Sequence, residues 1–189
     1  ARSSPPDPKI PSPAAAAPLL CSPWIARALD AVAADRLDES ARLLLEAATA
    51  CPTEPLVQRE LAGVRFKQRQ LPEAIQLSRR YLAQVPDDTL GWQILAASRY
   101  LSGESKAALR AWNKTGRPIV DLVRVDGLRA VRFGIVADAI GVPHGRVLTP
   151  ARLGLARRRV EDIPALRRSV VDYHPVEGGR VELRAAVVE

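Results

Sequence analysis

The chain has 189 residues, 47% hydrophobic and 26% charged, a globular balance with enough apolar material for one domain or two small ones. Its formal charge of +7 is thinly spread, with 16 basic and 12 acidic residues before position 119 and 12 and 9 from there on. That spread, with Glu161-Asp162 close behind the densest basic run Arg157-Arg158-Arg159, argues against a nucleic-acid-binding face, and no apolar run nears the ~20 residues of a membrane helix.

No Met occurs anywhere. That is expected of a chain whose initiator was lost by signal cleavage or by excision from a longer protein. Residues 1–20 carry Pro5, Pro6, Pro8, Pro11, Pro13 and Pro18 around an alanine run, which allows no helical or strand period. They are expected to form an extended or disordered spacer, as at the start of an exported protein.

From Trp24 the pattern turns helical and repeats. Pro52 and Pro86 lie 34 residues apart, and the same step relates Ser40, Ala74 and Ala108, then Leu44, Ser78 and Trp112. This period and the run Leu71-Pro72-Glu73-Ala74-Ile75 resemble tetratricopeptide repeats, in which helix pairs cross at small residues and pack around aromatics. Two full units, 21–54 and 55–88, and a shortened third, 89–117, fill the predicted array at 21–118. Trp24, Trp92, Trp112 and Tyr81 are expected to be core. The resemblance implies that the first helix of each unit lines a concave surface, which projects Arg59, Phe66, Lys67, Gln93, Tyr100 and Leu101 as a peptide groove. The alternatives are a solvated face, or one occupied by the chain's own following segment.

Cys21 is expected just before the first helix and Cys51 at the end of the second, ends that lie together in an antiparallel pair. A disulfide fits that geometry and would indicate an oxidising compartment; two reduced thiols are the alternative.

The last third reads as strand, two helices and a hairpin, an α+β unit over 119–189 that follows the all-α array with almost no linker. Its first strand is Leu122 to Asp126, closed by Gly127. Val131, Ile135, Val136, Ala139 and Ile140 form the apolar stripe of the first helix. Thr149 is expected to cap the second, with Pro150 at its first position and Ala151, Leu155 and Ala156 on one side. The hairpin turns over Pro175 to Arg180. Val181, Leu183, Ala185 and Val187 alternate along a last strand expected to be central, which leaves Arg167, Arg168, Ser169, Val170, Val171, Asp172 and Tyr173 on an edge. The motifs Val123-x-Val125-x-Gly127, Gly145-x-Val147-Leu148-Thr149 and Pro175-x-x-Gly178-x-x-Val181-x-Leu183, ending Val187-x-Glu189, resemble a POTRA domain. POTRA domains are the periplasmic modules of outer-membrane assembly and secretion proteins.

That resemblance implies β-augmentation of the edge strand by unfolded or extended client polypeptide, in the periplasm, with a membrane β-barrel beginning after Glu189. Val170→Pro is the substitution expected to block such pairing with little loss of fold. The other reading is a structural tetratricopeptide adaptor that docks one folded envelope partner. No enzyme, cofactor or metal is expected. His144 and His174 stand apart, Gly178-Gly179 reads as a turn rather than a phosphate loop, and Asp87-Asp88 and Glu161-Asp162 sit at helix boundaries.

Overall fold

The structure, a computed structural model, describes residues 17–189. Of the expected spacer, residues 1–16 lie outside the described part. The other four are helical, because helix α1 spans Ala17–Ala33. Pro18 falls in its first turn, where a missing N–H has no intrahelical partner to lose. Cys21 therefore lies inside α1, not ahead of it.

Five further helices follow: α2 Leu37–Ala50, α3 Pro55–Lys67, α4 Leu71–Gln84, α5 Thr89–Leu101 and α6 Ser105–Asn113. The 34-residue step holds to the residue, with first helices ending at 33, 67 and 101 and second helices starting at 37, 71 and 105. Each turn between partners carries one left-handed residue at the same step, Asp35, Arg69 and Gly103. Small residues mark the crossings on that step too: Ala28, Ala62 and Ala96 are fully buried, as are Ser40, Ala74 and Ala108. The chain thus carries tetratricopeptide-like helical repeats.

By packing the chain divides into two units, with the break between Pro86 and Asp87. The first holds α1 to α4 around Leu44, Ala47, Val57, Leu61 and Val64. Cys21 and Cys51 are joined by a disulfide, with Cα atoms 6.3 Å apart. Asp38 accepts from the Gln68 amide at 2.7 Å, and Arg65 pairs with Glu73 at 3.0 Å.

The second unit begins with α5 and α6. Then come β1 Ile119–Asp126, α7 Phe133–Ile140, α8 Pro150–Glu161, β2 Arg168–Val176, a 3-10 turn Glu177–Gly179, and β3 Arg180–Val188. The sheet order is β1-β3-β2, with β3 central, parallel to β1 and antiparallel to β2. Val181, Leu183, Ala185 and Val187 of β3 point into the core with Val136, Ile140, Leu153, Ala156 and Val160 of the two helices. Leu109 belongs to this core, and Tyr100 and Trp112 pack against it. The third helix pair therefore goes with the sheet, and packing does not divide the chain near 118.

Four local expectations need correction. β1 starts at Ile119, three residues early, because Val120 donates to Arg146 O and accepts from Gly145 N–H, both at 2.8 Å. In α7 the buried stripe is Val136 and Ile140; Ile135 faces solvent, one helical step round, at 51% exposure. In α8 Leu153, Ala156 and Val160 are buried, whereas Ala151 and Leu155 are exposed. β2 runs on through Pro175, which pairs with Val181 on the edge strand, where its missing N–H is tolerated. The Thr149 cap stands as expected, its hydroxyl oxygen accepting from Arg152 N–H at 3.2 Å.

Candidate polypeptide-binding surfaces

Three surfaces are candidates for binding: the first-helix faces of the repeats, taken unit by unit, the outer side of β2, and a cleft in the second unit. In the first unit Arg59 is half-buried and ion-paired with its neighbour Glu60, Phe66 is half-buried and Lys67 exposed. In the second unit Gln93 and Leu101 are exposed, whereas Tyr100 is not free for a ligand. Its ring centre lies 5.4 Å from that of Tyr173 and 6.0 Å from that of Trp112, and Trp112 stands edge-on to Tyr173 at 6.4 Å. These tilted and T-shaped approaches suit aromatic quadrupoles. The Tyr100 hydroxyl donates to Tyr173 O at 3.3 Å, and the Tyr173 hydroxyl to Ser105 O at 2.8 Å. Asn113 completes the tie by donating to both Arg117 O, at 2.7 Å, and Leu148 O, at 2.9 Å. The Tyr100 part of the expected groove face is thus occupied by the chain's own sheet. Burial raises the pKa of Tyr100, helped by Asp172, and it raises that of Tyr173 much further, with Tyr100 and Asp172 adding to the effect.

The outer side of β2 is partly closed by the chain's own groups. Arg157 Nε donates to Val171 O at 2.7 Å, and Tyr173 N–H donates to the Asp172 carboxylate at 2.8 Å. With Tyr100 on Tyr173 O, the outward-facing backbone groups are those of the odd-numbered residues. Ser169 offers both its N–H and C=O, and Val171 its N–H. A depression of about 230 Å³ lies there, between Arg157, Glu161, Ser169 and Val170. Val170 therefore turns its N–H toward β3, so Val170→Pro would break the ladder rather than spare the fold. Arg168 and Asp172 are exposed beside this edge, and Arg167, one residue ahead of β2, donates its N–H to Val188 O at 2.8 Å. Nothing in the sequence distinguished Arg157 from its neighbours in the arginine run; its role comes from the packing of α8 beside β2.

The cleft measures about 460 Å³. Its walls are Gln93 of α5, Trp112 of α6, the Arg117-Pro118 joint, and Pro175 and Arg180 at the ends of β2 and β3. Of these only Gln93 was expected in a binding face. Gly116-Arg117-Pro118 and Gly178-Gly179 read in sequence as chain breakers, and only the fold brings the two breaks together.

Elsewhere Glu182, on the sheet face away from α7 and α8, lies between Arg124 at 2.8 Å and Arg184 at 3.1 Å. The hydrogen bond from Arg184, then the charge of Arg124, holds its carboxyl below the ordinary range against an opposing effect of burial. The Glu189 carboxylate accepts from the backbone N–H groups of Arg129, Ala130 and Val131 at 2.7–3.0 Å, which likewise lowers its pKa. His144 Nδ1 lies 2.6 Å from Asp121 O and His174 Nδ1 3.5 Å from the Tyr100 hydroxyl. Among the described residues no three His, Cys, Asp or Glu side chains converge on a metal position, and no helix is long and apolar enough to cross a membrane.

No protein-family model matches the chain, and no curated protein does. Among solved structures it is similar to the globular C-terminal domain of Pseudomonas aeruginosa LpoP, at 28% identity over 50% of this chain and 92% of that one, with a TM-score of 0.47. It is also similar to a thermophilic tetratricopeptide protein of Thermus thermophilus, at 17% identity over 50% of this chain and 54% of that one, TM-score 0.46. The tetratricopeptide domain of Aspergillus fumigatus Sgt2 is similar at 16% identity over 92% of this chain and 97% of that one, TM-score 0.49.

Proposed function

We propose that the chain is a non-enzymatic protein-binding arm of a bacterial envelope. In this reading a tetratricopeptide array and a POTRA-like domain stand in the periplasm, attached to the outer membrane through a β-barrel that follows Glu189. They recruit extended polypeptide for assembly or translocation. The observation that carries it is the element order β1, α7, α8, β2, β3 with β3 central, the order the POTRA resemblance implies, directly behind helix pairs at a 34-residue step. The Cys21–Cys51 disulfide supports an oxidising compartment. Repeat faces and a strand edge are both surfaces for extended chains.

The adaptor reading has an observation of its own, because Tyr100, Asp172 and Arg157 already take up part of the α5 face and of the β2 edge. Photo-crosslinkers placed at Lys67, Gln93 and Ser169 in the intact protein separate the two. Crosslinks to many unfolded outer-membrane or secreted chains are expected. One folded partner, captured at every position, would replace the recruitment arm with the adaptor.

A further inference from the structure

We infer that the cleft between α5, α6 and the β2–β3 turn binds an extended polypeptide segment through an acidic side chain, whose carboxylate pairs with Arg117. The inference rests on the polypeptide-binding reading above and gives it a place and a chemistry. Two arginines line the cleft, in unlike states. Arg180 is neutralised by Asp121 at 3.2 Å and also donates to Glu177 O at 3.4 Å. Arg117 is half-buried, yet among the described residues its guanidinium has neither an ion partner nor a hydrogen bond. Packing holds it in place: a Cβ added at Gly179 would stand 3.2 Å from Arg117 Cδ, so the glycine leaves the room in which this side chain lies. No carboxylate lines the cleft, so one cation there is uncompensated.

A half-buried guanidinium without a partner is poorly solvated and gains most from a carboxylate, which its planar fork binds in bidentate fashion. The other walls select the carrier. Trp112 is fixed from behind by Tyr100 and Tyr173, and Pro118 and Pro175 extend its apolar surface, which suits the flat, hydrogen-bond-poor flank of an extended chain. Gln93 supplies an amide able to donate to and accept from a passing main chain. A volume of about 460 Å³ falls within the ordinary range of ligand sites. A nucleic acid would need several free cations along its backbone, and the cleft offers one.

The test is fluorescence anisotropy of the full chain with a fluorescein-labelled, C-terminally amidated peptide, Ala-Pro-Ala-Glu-Ala-Pro-Ala, against versions with Gln or Lys for Glu. The Glu peptide should bind about tenfold more tightly than the Gln peptide, and Arg117→Gln should remove that preference, since charge-assisted hydrogen bonds are worth roughly that much. Arg117→Gln removes no side-chain hydrogen bond or ion pair among the described residues, only the packing of its outer atoms beside Gly179, and an unchanged circular dichroism spectrum and melting midpoint will show that the fold is kept. Equal binding of the Glu and Gln peptides overturns the inference, as does a Glu preference that survives Arg117→Gln. Polypeptide recruitment at another surface stands in either case. Tighter binding of the same sequence with a free C-terminus and Gln for Glu would assign the cleft to chain ends, and preference for oligothymidylate would assign it to nucleic acid; each overturns the acidic-side-chain assignment. Failure of all three peptides to bind at about 1 mM overturns the inference, and if unfolded clients also fail to crosslink, the recruitment reading falls with it.

Discussion

Tyr173→Phe tests whether the third helix pair and the sheet fold as one unit. The substitution keeps the ring, which is 3% exposed, and its contacts with Tyr100 and Trp112, and it deletes one hydroxyl. That hydroxyl donates to Ser105 O at 2.8 Å, joining residues 68 apart in sequence. Ser105 opens α6, so its carbonyl keeps a helix partner and is not orphaned. The cost should therefore be that of one buried hydrogen bond, about 1 kcal/mol, or about 4–8 °C in the melting of a unit of this size. Hydrogen exchange of the β3 amides in urea reads the second unit without interference from the first. Tyr100→Phe is the control and should cost less, because its bond is 3.3 Å long and half-exposed. The variant also changes the pH response. The Tyr173 phenol titrates above its ordinary value of 10, so the folded chain holds its proton more tightly than the unfolded chain does. Its stabilising contribution is whole below pH 10 and is lost as the pH climbs toward the raised value. Tyr173→Phe should flatten the alkaline decline in stability. Unchanged exchange, or a larger effect from Tyr100→Phe, would refute the claim that this bond ties α6 to the sheet.

Gly127→Ala should destabilise the second unit by more than about 2 kcal/mol, because φ is +92° and the new Cβ would stand 2.0 Å from Val187 O; chemical denaturation measures it, and a loss below about 0.5 kcal/mol would contradict the close approach. Glu189→Gln weakens the acceptor for three N–H groups, so amide exchange at Arg129, Ala130 and Val131 should accelerate. Because the Glu189 pKa is lowered on folding, its contribution is present above the unfolded carboxyl value and lost as pH falls through the folded one; acid titration of the variant should show a shallower decline. Val170→Pro should cost about 1–3 kcal/mol by breaking the β2–β3 ladder, whereas Ser169→Pro, whose N–H faces outward, should spare the fold; equal melting points for the two would reverse the assignment of outward residues. Cys51→Ser opens a loop with a sequence separation of 30 and should lower the stability of the first unit by about 3–4 kcal/mol, read from its thermal midpoint.

What was legible in the sequence was whatever short-range periodicity encodes. The 34-residue step fixed six helices, because each crossing needs a small residue at one place, and Ala28, Ala62 and Ala96 meet that need without exposure. Alternation in Val181 to Val187 marked a strand with one face on the core, although edge strand β2 buries Val171 and Tyr173 almost as fully, so the central place of β3 is shown by its pairing with both neighbours. Periodicity failed where neighbours decide the face. Ile135 and Val136 are equally apolar, and only the position of the sheet makes Val136 the buried one. Pro175 reads as a breaker, yet an edge strand accepts it. Tyr100 shows the same limit at the candidate site: its spacing matches a groove face, but Tyr173, 73 residues away, fills the space in front of it.

If the chain holds clients as proposed, the guarded edge and the open cleft together constrain how. An added strand pairs through both N–H and C=O of alternate residues, and along β2 Ser169 alone offers both, because Arg157 takes Val171 O and Asp172 and Tyr100 take the groups of Tyr173. One such pair is too little to retain a chain, and extending it requires Arg157 to release its carbonyl. Such guarding restrains indiscriminate pairing, the hazard of any exposed strand. The cleft has no such guard, and on the inference above its unpaired arginine would discriminate among sequences where a bare edge cannot. Main-chain pairing at Ser169 would then serve clients already selected by a side chain at Arg117. On this scheme Arg157→Ala should widen the range of chains captured at the edge, whereas Arg117→Gln should narrow discrimination and leave the edge as it is.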